Sequence, residues 1–192
     1  MLAHYHGQVF NASEIARSLG ISEMTVKRYL DVLNGVFMVR QLQPWHANIK
    51  KRQVKAPTIY FSDTGILHGL LGIRTMNDLL AHPKHGASWE GYVIGEVIRA
   101  IEPDDVYFWA TYQGAEMDLV FSKAGRMYGV EVKRADAPAM TPSIKIALED
   151  LNLERIAVIY PGEKRYALNK QVDVVPFNKV TGGMSAIFGI SP

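Results

Sequence analysis

The chain has 192 residues, 48% hydrophobic and 21% charged, which is the balance expected of a soluble globular protein with room for one large domain or two small ones. No apolar run approaches the roughly 20 residues of a membrane span, and nothing resembling a signal peptide precedes the first structured stretch, so a cytoplasmic location is expected. The lack of cysteine excludes disulfides and Cys-ligated zinc or iron–sulfur centres. The net charge of +2 is unevenly spread: residues 1–56 carry +5 and the remainder −3. A basic first third suits a polyanionic partner.

In chain order, Asn11-Ala-Ser-Glu14 predicts a helix start with Asn11 as N-cap and Glu14 closing a capping box. Gly20 ends that helix, and Ser22 caps a second one whose buried stripe is Val26, Leu30 and Leu33 and which stops at Gly35. Strands are expected at Val36–Leu42 and Thr58–Phe61, with the basic segment Pro44–Lys55 between them. Helix, glycine turn, helix and a two-stranded wing make a winged helix-turn-helix over residues 1–74. Such a unit binds DNA through its second helix, here Lys27 and Arg28, and through its wing, here Lys50, Lys51, Arg52 and Lys55. Met24 and Asp31 share the outward face with Arg28 and make poor base or phosphate readers, so sequence-specific readout is not expected and the alternative is a winged helix that packs against another domain.

Asp63-Thr-Gly65 is a turn leading into a short apolar helix, Ile66–Leu71. Across residues 75–87 apolar periodicity lapses, which predicts a linker. Pro83 denies His82 and His85 the regular helix that would pair them on a metal. Ser88–Ile101 reads as a helix that places Glu90 on its buried stripe with Ile94, Val97 and Ile101. A carboxylate there needs a partner or a function.

Val106–Ala110 is an apolar strand, followed by a hairpin of Glu116–Ser122 and Met127–Lys133 around a four-residue loop carrying Gly125. Strict alternation groups Met117, Leu119 and Phe121 on one face and brings Asp118, Glu131 and Lys133 together on the other. Two carboxylates so placed can hold a hard divalent cation, and a neighbouring ammonium can position a metal-bound water. A helix opening at Thr141-Pro142, a strand at Arg155–Tyr160 and another at Val172–Val175 complete a mixed α/β (α+β) domain over residues 88–192.

Asp118 on one strand and Glu131-Val-Lys133 on the next resemble the metal-binding core of the PD-(D/E)xK nuclease superfamily. Gly114-Ala-Glu-Met-Asp-Leu-Val-Phe121 and Gly129-Val-Glu-Val-Lys133 further resemble the domain of unknown function found at the C-terminus of many bacterial and archaeal AAA-type P-loop ATPases. The likeness runs from Asn11 to about Val175 and is strongest over residues 57–65 and 88–133. It implies a restriction-endonuclease-like fold and Mg²⁺ (or Mn²⁺) held by Asp118, Glu131 and the Val132 carbonyl. Lys133 would then orient water, and Glu90 would be an outer acidic ligand.

The resemblance also implies a DNA substrate and an ATPase domain as partner. No Gly-x-x-x-x-Gly-Lys-Ser/Thr occurs in the sequence, so the chain is expected to be a C-terminal piece or a stand-alone relic. The alternatives are a catalytically silent regulatory or partner-binding module and a winged-helix DNA-binding regulator. Removing Asp118 or Lys133 is expected to leave stability nearly unchanged, because carboxylates clustered without their ion repel one another.

Overall fold

The computed structural model describes residues 1–45 and 56–190, and Lys50, Lys51, Arg52 and Lys55 of the expected wing lie outside them. The chain is mixed α/β and its described residues form two compact units, one of residues 1–43 and 56–92 and the other of Pro44, Trp45 and residues 93–190.

In the N-terminal unit, helix α1 (Ala12–Leu19) starts where the Asn11 side chain accepts the Glu14 N–H at 3.2 Å, and it ends at Gly20, φ +65°. Helix α2 (Glu23–Gly35) is capped by Ser22, which accepts the Thr25 N–H at 3.1 Å. A three-stranded antiparallel sheet, ordered β1 (Gln8–Val9), β3 (Thr58–Phe61), β2 (Val39–Pro44), closes this unit. Its core joins Phe10, Ile15, Val26, Leu30, Val39, Ile59, Phe61 and Leu67. The strand expected from Val36 begins three residues later. Val36 ends α2, and Phe37 adopts φ +60°, outside the extended region.

Asp63 is the N-cap of α3 (Thr64–Leu70), accepting the Ile66 N–H at 3.0 Å. The expected linker contains a helix, α4 (Met76–Ala81), fixed by a reciprocal capping box between Thr75 and Asp78. Helix α5 (His85–Ile101) starts three residues before Ser88, whose own N–H bonds to the Lys84 carbonyl, and the division between the units falls inside it.

Buried His6 ties the first turns of α5 to β3. Its Nδ1 accepts the Phe61 N–H at 2.9 Å and its Nε2 lies 3.0 Å from the Ala87 carbonyl, which fixes the neutral tautomer protonated on Nε2. Gly91 makes room for that ring, since a Cβ there would stand 2.5 Å from His6 Nε2.

The C-terminal unit is a six-stranded mixed sheet, ordered β4 (Asp105–Ala110), β5 (Glu116–Lys123), β6 (Arg126–Val132), β7 (Arg155–Tyr160), β9 (Val172–Pro176), β8 (Tyr166–Ala167). Strands β4, β5 and β6 are antiparallel, and β6, β7 and β9 are parallel. The β6–β7 connection is a crossover through α6 (Pro142–Leu151), capped by Thr141. Ile144, Ala147 and Leu151 of α6 pack on Met117, Val120, Ile156 and Val158. The chain finishes in a second short helix, α7 (Gly183–Phe188), held by Arg165, whose guanidinium donates to the Ala186 carbonyl at 2.7 Å.

Candidate functional site

The β5–β6 hairpin is tighter than its sequence suggests. Lys123 pairs with Arg126, so the loop is only Ala124-Gly125, both at positive φ (51° and 74°), as a two-residue mirror-image turn requires. The β4–β5 register slips between Tyr107 and Trp109, which leaves Asp118 and Leu119 together opposite Phe108. This bulge breaks the strict alternation read from sequence. Met117 turns to the face of Val120 and Gly129 and packs there, instead of sharing a face with Leu119 and Phe121. Bulges of this kind re-aim the side chains around them, here Met117.

Half-buried Asp118 reaches across the hairpin, and its Oδ2 accepts the Val132 N–H at 2.7 Å. Val132 thus meets Asp118 through its amide nitrogen. Glu131 is 1% exposed. Its Oε1 lies 2.6 Å from the Lys133 ammonium, and its Oε2 is buried without a hydrogen-bond partner among the described residues. Burial raises the Glu131 pKa, Lys133 opposes that rise, and Glu116 adds to it. The Lys133 side chain is 37% exposed. Burial lowers its pKa, but Glu131, then Asp118 and Glu116, more than offset this and raise it. Three carboxylates and one ammonium therefore form a single electrostatic cluster.

Glu116 belongs to that cluster without having been singled out as a site residue. The signal was available, because it stands two residues before Asp118 on the same strand. Glu90 lies in the N-terminal unit, where its Oε1 accepts the Tyr60 hydroxyl and its charge favours the ammonium form of Lys84. That Tyr60 contact has no sequence signature.

Lys27 and Arg28 are exposed on α2. His82 Nδ1 accepts the Lys84 N–H at 3.0 Å. Among the described residues no group of three or more His, Cys, Asp or Glu side chains has metal-holding geometry. The donor set fits a metal in a narrower sense: Mg²⁺ takes one or two protein carboxylates and fills its shell with water, and the buried, unsatisfied Glu131 Oε2 is such a donor.

Residues 85–180 match the domain of unknown function DUF4143, and residues 1–77 match a second domain of unknown function, DUF8612. The chain is 47% identical over 192 residues to an uncharacterized protein of Mycobacterium tuberculosis and, equally, to one of Mycobacterium bovis. The match covers 99% of this chain but 44% of each relative, so the chain spans less than half the length of the curated relatives it matches. No solved structure matches the chain. No helix among the described residues is long and apolar enough to cross a membrane.

Proposed function

The chain belongs to the DUF4143 family, and we propose that it is a nuclease-like module of an ATPase-associated protein. In this reading a winged helix in residues 1–74 holds DNA, and a restriction-endonuclease-like domain hydrolyses its phosphodiesters with Mg²⁺ or Mn²⁺. Glu131 carries the proposal. A carboxylate with one oxygen on Lys133 and the other buried and unsatisfied is costly unless a cation completes it.

Asp118 and Glu131 would hold the ion, with the Val132 carbonyl as a further inner ligand. When bound, the ion supplies Lewis acidity toward the phosphate and acidifies a coordinated water. Lys133, held protonated by the surrounding carboxylates, orients the attacking water and offsets negative charge on the phosphate. The Asp118 bond to the Val132 N–H sets the end of β6, and so the relative positions of Glu131 and Lys133.

Lys27 and Arg28, with Lys50, Lys51, Arg52 and Lys55, would neutralise DNA phosphates. An ATPase partner is supported by the family membership and by relatives more than twice the matched length. The closed Glu131–Lys133 pair also favours a second reading, in which the domain keeps this arrangement as a silent partner-binding module.

Metal-dependent cleavage separates the two readings. On plasmid or branched DNA, Mg²⁺ or Mn²⁺ supports slow nicking and Ca²⁺ does not. Asp118→Ala abolishes nicking and is partly rescued by excess metal, whereas Lys133→Ala abolishes it without rescue. Failure to cut DNA or RNA in any of these ions would leave the silent module.

A further inference from the structure

Helix α2 carries an apolar flank that its own unit does not cover. Val26 and Leu30 enter the core at 5% and 4% exposure, whereas Tyr29, Val32 and Val36 remain 61, 63 and 59% exposed. Thr25, Tyr29, Val32 and Val36 follow one another at intervals of four, three and four residues. At 3.6 residues per turn they fall within about 60° of one another. That spacing is the seam of a helix–helix pair, in which each side chain seats between residues of a facing helix with the same pattern. Phe37 extends the flank at 83% exposure and at φ +60°, a conformation that bulky residues seldom hold without a reason. Beside the seam, Tyr29 and Leu33 border an apolar groove of about 130 Å³ that also includes Leu19 and Met1, each 52% exposed.

We propose that a second copy of this chain covers this flank, α2 against α2, antiparallel about a two-fold axis between Tyr29 and Val32. The seam is self-complementary, which is what an isologous interface requires. In this register Tyr29 packs on Val32 of the second copy and Thr25 on Val36. Antiparallel packing sets opposite helix-dipole ends together. Lys27 and Asp31 stay on the far side of the helix, and the two Arg28 side chains stand five residues apart along it, so like charges do not meet. The exposed surface of Tyr29, Val32, Val36, Phe37, Leu19 and Met1 is on the order of 800 Å², comparable to one partner's share of a stable interface.

Sedimentation equilibrium tests the pairing. The wild-type chain is a dimer at micromolar concentration, and Val32→Glu raises the dissociation constant at least about a hundredfold while circular dichroism and melting stay unchanged. The natural lack of cysteine allows a second reading that does not depend on that variant folding. Tyr29→Cys/Val32→Cys gives a covalent dimer on mild oxidation, and Lys27→Cys, on the opposite side of α2, does not. A monomer at every concentration would overturn the proposal, as would a dimer indifferent to Val32→Glu or one that crosslinks equally through position 27.

Discussion

Glu131 is the residue on which the C-terminal unit turns, because it holds a carboxylate at 1% exposure against a single ammonium. This revises the expectation that Lys133 can be removed without cost: truncating it leaves a buried charge with no partner. Lys133→Ala should lower stability by about 1–2 kcal/mol, less than breaking a fully buried pair costs because Lys133 itself is solvent-reachable. Glu131→Gln should be neutral or stabilising.

The pH dependence has a defined sign. Burial raises the folded pKa of Glu131, so its protonated form favours the native state at low pH, and that contribution is lost as pH rises through the raised value. The stability gain of Glu131→Gln over wild type should therefore grow from acidic to neutral pH in urea titrations, and a gain that shrinks would contradict the assignment.

At the scale of elements, periodicity and caps made most of the fold legible. Asn11, Ser22 and Thr141 cap the helices their positions predict, and the strands β4 to β7 stand close to their expected places. Alternation could not reveal the bulge at Asp118, because register is set by cross-strand pairing and leaves the composition of one strand unchanged. Helix α4 was hidden by weak apolar periodicity, although Thr75-x-x-Asp78 announced its start. The His6 tie to α5 joins residues 81 apart and lies beyond any local pattern.

That tie carries its own prediction. Burial, with nearby Lys84 and His68, pushes the His6 pKa down to about 4. The unfolded chain binds a proton below about pH 6.5 that the folded chain refuses. Stability is therefore complete above that value and falls by about 2 kcal/mol by pH 5. Urea midpoints at pH 7 and 5 should separate for wild type and converge in His6→Gln. Gly91→Ala, which drives a Cβ into the His6 ring, should cost about 1–3 kcal/mol.

For the whole molecule, the proposed reading places DNA on the basic first 56 residues and chemistry on the β5–β6 hairpin. Affinity for duplex DNA should fall steeply between low and physiological salt, and Lys27→Glu/Arg28→Glu should reduce the log–log salt slope by about two for every sequence alike. An unchanged slope would remove α2 from the DNA contact. The most direct test of the account is calorimetric titration of Mn²⁺ into the wild-type chain and into Glu131→Gln. The account predicts one ion bound by wild type and at least a tenfold weaker fit in the variant, whose melting temperature is unchanged or higher. Equal binding by both proteins, or no binding by wild type at millimolar metal, would contradict it.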